Sequence, residues 1–194
     1  MRRLKTKFNC LILRLNLRKN YYYDFISSNF GFIALVVSDT GVVISSTPEK
    51  KLEHSLMKIN EFGYKLIKDE DKTFSYKRIL ESYFNGEDVE LEKISLDLQV
   101  GTDFQKKVWK VCRKIKFGQL KSYKWISQKI NGKPFSYRAV GNALKVNPIP
   151  IFIPCHRVIG ENGNLCGYNS LQGISIKEKL INLEKNYEDS SIIE

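Results

Sequence analysis

YKWISQKINGKPFSYRAVGNALKV, residues 123–146, contains two short apolar-periodic segments on either side of a break. Asn131-Gly132-Lys133-Pro134 supplies the break, because glycine accepts backbone conformations closed to other residues and proline cannot continue a helix. Ser122 stands where it can cap the first segment, and Ser136 where it can cap the second. Two short helices joined by a Gly/Pro turn make a helix-turn-helix pattern. Many proteins carry such a pair without touching DNA. The second segment keeps its side chains small. Gly141 sits in its interior, where glycine costs about 1 kcal/mol relative to alanine, between Ala139 and Ala143. Small residues let a backbone come close to another surface, either a packed helix or DNA. Arg138 projects from the same helix.

Upstream, Thr102 followed by Gln105 is a capping box. The helix after it carries Phe104, Val108, Val111, Cys112 and Ile115 on one face, so Cys112 reads as core. Phe117-Gly118 ends that helix. Downstream, Pro148, Pro150 and Pro154 interrupt an apolar run. Proline donates nothing to a β ladder and holds its predecessor extended. The run is therefore expected to be a stiff, extended, largely unpaired segment that delivers Cys155 and His156. In extended chain, neighbours point to opposite faces, so a direct Cys155–His156 hydrogen bond requires a sharp turn, and otherwise a bridging water. These residues leave two readings open: Cys155 as a nucleophile with His156 as the only nearby base, or Cys155 as a small core residue. In the last helix, Ile176, Leu180, Leu183 and Tyr187 form an inward stripe, and Ser175 with Glu178 reads as a capping box. Glu184 borders the stripe and is the carboxylate best placed to orient a buried imidazole.

The first half reads as a small α+β unit without evident chemistry. Residues 9–15 and 30–37 have strand character, and Ser38-Asp39-Thr40-Gly41 turns the second into residues 42–46. Residues 49–61 carry Leu52, Leu56 and Ile59 at helical spacing, with His54 off the stripe. Residues 74–84 predict a second helix stopped at Asn85-Gly86, and 89–98 alternate like a strand. A new unit begins near Val100-Gly101, dividing the chain into 1–98 and 99–194.

The 194 residues are 42% apolar and 27% charged, the balance of a globular protein. No apolar run reaches the roughly 18 residues of a membrane span. The basic start is interrupted by Arg14 and Arg18 and reads as a strand rather than a leader. The net charge is +11, and residues 101–194 hold 16 Lys/Arg against 7 Asp/Glu. That asymmetry points to a polyanionic partner, most simply nucleic acid. Cysteines 10, 112, 155 and 166 form no C-x-x-C pair, and His54 and His156 are the only histidines. No disulfide framework or metal site is expected, and a reducing, cytoplasmic compartment (nuclear in a eukaryote) fits.

The run Asn147-Pro-Ile-Pro-Ile-Phe-Ile-Pro-Cys155-His-Arg-Val158 closely resembles the active-site signature of the O6-alkylguanine-DNA alkyltransferases. The resemblance continues through Gly101-Thr-Asp-Phe-Gln-Lys-Lys-Val-Trp109, Phe117-Gly118, Ser122-Tyr123, Arg138-Ala-Val-Gly141, Gly167-Tyr168 and Lys177-Glu178 to Glu184. It covers the second half; the first resembles the family's variable domain in layout only. It implies a ribonuclease-H-like α+β domain over 1–98 and a mainly helical, winged-helix-like domain with a helix-turn-helix over 99–194. It implies repair of O6-alkylguanine, and of O4-alkylthymine as a further substrate, in double-stranded DNA. It also implies a monomer that acts with no cofactor and no metal, by one irreversible transfer to Cys155.

The resemblance also assigns roles. Cys155, His156 and Glu184 form a water-linked activation network. Arg138 fills the gap left by a flipped nucleotide. Tyr123 presses on the neighbouring phosphate and hydrogen-bonds the flipped base. Ser122, Ala139 and Gly141 lie at the DNA, with the helix of Ala139, Gly141 and Ala143 in the minor groove. Asn147, Pro150, Arg157, Val158, Tyr168 and Asn169 line or hinge the pocket. One departure stands out: the loop after Tyr168, Asn169-Ser170-Leu171-Gln172-Gly173, is two residues longer than the family's usual form. Two other functions compete. A non-catalytic helix-turn-helix lesion binder would lack the reactive cysteine. A cysteine hydrolase would need an oxyanion-hole motif and leaves Arg138 unexplained.

Overall fold

A computed structural model describes residues 19–61, 63–131, 137–165 and 173–190. The strand expected over 9–15, the 132–136 turn with its Ser136 cap, and the pocket residues Tyr168 and Asn169 lie outside the described residues.

Strands β1 (Tyr21–Ser28), β2 (Gly31–Ser38) and β3 (Gly41–Ser45) run as an antiparallel meander. The short β4 (Leu66–Lys68) joins β1 in parallel, giving the order β3-β2-β1-β4. The two-residue Asp39-Thr40 connection makes the expected hairpin. β1 has no counterpart in the expectations above, because Asp24 breaks its aromatic pattern and aspartate is depleted in strands. Asp24 is nonetheless buried, and Lys77 Nζ pairs with it at 2.6 Å. The middle strand β2 is apolar on both faces. Ile33, Leu35 and Val37 enter one cluster, while Ala34 and Val36 enter another, the period-2 alternation of a sheet covered on both sides.

Helix α1 (Leu52–Asn60) covers the Ala34/Val36 face with Ile59 and Leu56. Helix α2 (Glu70–Phe84) covers the other with Leu80, Tyr83 and Phe84. α2 starts four residues earlier than its apolar spacing predicts. Asp69 caps it, accepting the Lys72 N–H at 3.0 Å and placing two acids in the positive first turn. Asn85 and Gly86 end it as expected. The strand expected over 89–98 is not formed. Leu91–Lys93 make a 3-10 turn, and only Leu96 bridges the sheet, to Val42. The alternation there reflects apolar side chains anchoring an irregular connection, since Leu91 is buried and Ile94, Leu96 and Leu98 pack on the core.

In the second half, α3 (Asp103–Cys112), α4 (Tyr123–Asn131) and α5 (Tyr137–Lys145) pack mutually. The Thr102/Gln105 capping box is formed in both directions. Trp109, fully buried, donates its indole N–H to the Ala143 carbonyl at 2.9 Å and so ties α3 to α5. Gly101 is required beside it: its φ is +100°, and a Cβ there would lie 2.5 Å from the Trp109 ring. Ala143 is 2% exposed, so its small size serves this helix contact and not a DNA-facing surface, correcting that part of the expectation. Two-residue strands β5 (Lys121–Ser122) and β6 (Val158–Ile159) pair in parallel. They bring the start of α4 beside the chain just after Cys155. Helix α6 (Ile174–Ser190) closes this half. It begins one residue before Ser175, which therefore lies within the first turn and not at the cap. A continuous apolar cluster runs from the α2 face of the sheet through α3, α4 and α5 to Ile176 and Leu180.

Candidate active site

The segment before Cys155 is not the extended rope that its prolines predict. The N–H of Ile153 donates to the Ile149 carbonyl at 2.8 Å, and Ile151 has φ +73°. Proline restrains its own φ and its predecessor's conformation, which leaves Ile151 and Phe152 outside the restraint, and the chain folds back there. A β-branched residue at positive φ is strained. It persists because Ile149, Ile151, Phe152 and Ile153 are all fully buried. The edge strand also pins this turn: Ser45 N–H donates to Pro148 O at 3.1 Å and Ser45 Oγ to Pro150 O at 2.6 Å.

Cys155–Arg157 then form a 3-10 turn, with all three residues buried. The turn makes no direct Cys155–His156 hydrogen bond, which leaves the bridging water as the link between them. Asn147, buried, accepts the Ile149 N–H on Oδ1 at 3.0 Å. That bond orients the amide so that Nδ2 donates to Ile153 O at 2.8 Å and to Cys155 Sγ at 3.2 Å. A donor aimed at sulfur favours the thiolate. Sequence reasoning assigned Asn147 to the hinge and pocket and missed this direct bond.

His156 and Glu184 meet in a fully buried pair, with Nε2 to Oε1 at 2.7 Å. Burial raises the Glu184 carboxyl, but the His156 imidazole and Arg157 guanidinium beside it outweigh that and hold it down at about 2. The carboxylate is thus ionised and can only accept. Burial lowers His156, partly opposed by Glu184, so the imidazole is neutral at physiological pH. A neutral imidazole facing an acceptor-only carboxylate must carry its proton on Nε2. Nδ1 then presents a lone pair, and this buried atom has no hydrogen-bond partner among the described residues. A neutral histidine with a free Nδ1 lone pair and an oriented Nε2–H has the form of a general base.

Arg157 completes the cluster. Nε reaches Glu184 Oε2 at 2.9 Å, Nη2 reaches Oε1 at 3.0 Å and Nη1 donates to the Ile115 carbonyl at 2.6 Å. Its guanidinium is committed to this buried pair, which corrects the expectation that it lines a substrate pocket. Gly118 N–H adds a bond to Glu184 Oε2 at 3.2 Å. Two further groups had no role assigned from the sequence. Lys177, 1% exposed, donates to the Val158 carbonyl at 2.6 Å and lies 5.9 Å from the Tyr123 ring centre. Tyr83, from α2, donates to Glu184 Oε1 at 2.7 Å. No local pattern could have found Tyr83, which is 73 residues from His156 and 101 from Glu184.

The remaining expected residues fall in two places. Ser122 Oγ accepts the Trp125 N–H at 3.1 Å at the start of α4. Arg138 is exposed on α5, with Ala139 and Gly141 half-buried. A Cβ on Gly141 would meet only Tyr123 Cε1, at 3.8 Å, an ordinary contact. Internal packing therefore does not demand glycine there, in contrast to Gly101. A cavity of about 390 Å³ reaches Cys155, lined by Asn147, Pro150, Leu144 and, from the edge strand, Ser45 and Thr47. Val158 and Tyr123 do not line it. Cys112 differs from Cys155: it is fully buried in the core, and burial pushes its thiol well up, as its place on the α3 stripe suggests.

Residues 103–186 match the family model described as 6-O-methylguanine DNA methyltransferase, DNA binding domain. A methylated-DNA–protein-cysteine methyltransferase of Methanosarcina barkeri is 44% identical over 170 residues, covering 85% of this chain and 98% of the relative. The inducible methylated-DNA–protein-cysteine methyltransferase of Bacillus subtilis is 41% identical over 124 residues, covering 63% of this chain and 66% of the relative. The crystal structure of Mycobacterium tuberculosis OGT in complex with DNA superposes with a TM-score of 0.70 at 34% identity, covering 86% of this chain and 94% of that one.

Proposed function

Because the chain belongs to the methylated-DNA–protein-cysteine methyltransferase family, we propose that Cys155 is the acceptor and that His156, Glu184 and Asn147 activate it. The activity is DNA repair by transfer of an alkyl group from DNA to a cysteine of the protein itself. The observation that carries the assignment of the acceptor is the Asn147 amide bond to Cys155 Sγ, in a turn whose next residue is an oriented, neutral histidine. The thiol proton passes through a bridging water to His156 Nδ1. The thiolate attacks the O6-alkyl carbon, forming the S–C bond as the C–O6 bond breaks and its electrons pass to the guanine. Tyr123 hydrogen-bonds the departing base, which takes up the proton released from the thiol, so that guanine and S-alkylcysteine are the products and His156 is again neutral. The thioether has no carbonyl for water to attack, and each molecule reacts once.

The same reading gives α5 the DNA. Arg138 enters the stack in place of the flipped nucleotide, and Gly141 lets the helix backbone approach the groove, which supports glycine where packing does not need it. The partner is double-stranded DNA carrying alkylated bases, met by a monomer. The division at 98/99 belongs to this proposal, with the DNA-facing work in residues 99–194.

Incubation with a duplex containing O6-methylguanine, followed by peptide mass spectrometry, tests it. One methyl group on Cys155, saturating at one equivalent, is expected. Lesion binding without an adduct would favour a non-catalytic binder, and turnover of an ester or amide a hydrolase. Arg138→Ala is expected to slow transfer from duplex DNA by about tenfold or more, given the few kcal/mol that unstacking requires. Its reaction with free O6-methylguanine base should be unchanged, as measured by single-turnover kinetics on both substrates. Equal loss on both would remove the flipping role.

A further inference from the structure

Among the described residues Tyr83 is the one phenol in the His156–Glu184 cluster, and it comes from α2, in the half of the chain that otherwise supplies the sheet. Its ring is fully buried, edge-on to Phe84 at 5.1 Å and to Phe117 at 6.0 Å. Its hydroxyl lies 2.7 Å from Glu184 Oε1 and 3.2 Å from His156 Nε2.

The phenol has one proton. Glu184 is ionised and only accepts, so that proton goes to Oε1. The oxygen lone pair then faces Nε2, which suits an N–H and not a second lone pair. With hydrogen on Nδ1 instead, Nε2 would confront both the carboxylate and the phenol oxygen with no proton between them. Tyr83 and Glu184 together select the Nε2–H tautomer and leave Nδ1 as the only proton acceptor on the ring. Arg157 pairs with the carboxylate but touches neither imidazole nitrogen through a hydrogen bond. Tyr83 is therefore the only described side chain within hydrogen-bond distance of both the base and its orienting acid.

We infer that Tyr83 is a positioning residue for alkyl transfer, holding the His156 ring and its Glu184 partner in the orientation that lets Nδ1 take the Cys155 proton. This rests on the reading of Cys155 and His156 given above. It gives α2 a part in the chemistry, so the sheet half is not only a scaffold. The charged groups around the imidazole are Glu184 and Lys177 from α6 and Arg157 from its own turn. Asp88, just beyond α2, is coupled electrostatically to Arg157 and Glu184.

The test is Tyr83→Phe, which removes the hydroxyl and keeps the ring, alongside Phe84→Leu, which disturbs the same packing but not the hydroxyl. In Tyr83→Phe the single-turnover rate at saturating duplex should fall about tenfold, the scale of one buried hydrogen bond in the reacting assembly. Duplex affinity should hold. The carboxylate, with one donor fewer, stabilises the imidazolium better, so the acid limb of the pH–rate profile should move to higher pH. Nitrogen NMR of histidine-labelled protein should show the Nε2–H form in both chains, since Glu184 still faces Nε2 in each, with the His156 Nε2 resonance shifted in Tyr83→Phe. Phe84→Leu should melt earlier with an unmoved acid limb. An unchanged rate, acid limb and nitrogen spectrum in Tyr83→Phe would overturn the inference. So would a matching rate loss in both variants with neither acid limb moved. Failure of the parent chain to alkylate Cys155 would defeat the function reading alone, because the nitrogen spectra report the hold on His156 without any transfer.

Discussion

Cys155→Ala should bind an O6-methylguanine duplex as the parent chain does and take up no methyl group at all. The substitution removes a single sulfur from a buried turn whose backbone bonds, Ile153 N–H to Ile149 O and Arg157 N–H to Pro154 O, do not involve it. Asn147 Nδ2 keeps its bond to the Ile153 carbonyl at 2.8 Å, so the amide does not become an orphan. The surface proposed to hold DNA, on α4 and α5, is untouched. The loss of transfer is expected to be complete and not graded, because the step needs the Cys155 sulfur as its nucleophile. Cys112 is the other described cysteine, and it is sealed in the core with its thiol well above the ordinary range. Fluorescence anisotropy with the lesion duplex and intact-mass spectrometry on the same sample check both halves. A methyl group found elsewhere, or loss of binding, would make Cys155 a structural residue.

Glu184→Gln should lose both stability and activity. The carboxylate receives bonds from Tyr83, His156, Arg157 and Gly118. A neutral amide offers one oxygen, and its NH₂ confronts donors. Arg157, 3% exposed, would keep its charge without a partner. Breaking one side of a buried pair costs about 3–5 kcal/mol, on the order of 10 °C in melting temperature for a chain of this size. His156 would lose the acceptor that orients it, and transfer should slow by about 10²-fold or more.

Acid should reproduce part of this loss in the parent chain. The Glu184 carboxyl is lowered from its ordinary 4.5 to about 2. Its contribution is therefore full above pH 4.5 and lost as pH falls toward 2. The size is about 3 kcal/mol by linkage. His156 is lowered from 6.5, so the unfolded chain takes up its proton first, and stability begins to decline below pH 6.5. Thermal melts between pH 7 and pH 3 should show this two-stage decline, and Glu184→Gln should lack the lower stage. A parent-like lower stage in that variant would place the acid sensitivity elsewhere.

Local chemistry written in consecutive residues was legible without any coordinates. The Thr102/Gln105 box, the hairpin at Asp39-Thr40, the Asn85-Gly86 stop and the helices on either side of 132–136 depend on interactions spanning a few positions, and periodicity or capping reports those. Cys155, His156 and Glu184 were legible as candidates for the same reason: a proline-framed Cys-His pair and a carboxylate at the edge of an apolar stripe are visible in order along the chain. The strand β1 was hidden because Asp24 is tolerable only once Lys77 stands beside it. The strand expected over 89–98 failed because alternation records burial and not pairing.

What only the tertiary structure decided is how distant segments share one buried charge cluster. The proline run bends at Ile151 because the surrounding core outweighs the strain of a positive φ there. Arg157 turns inward because Glu184 and the Ile115 carbonyl satisfy it. Tyr83 joins the site because the continuous core holds the end of α2 beside Glu184 of α6. Burial makes each of these outcomes compulsory, since a charge or polar group removed from water must find its partner wherever the fold brings one. The sequence by itself determined which residues could do chemistry; the packed fold determined which of them meet, and in which protonation state.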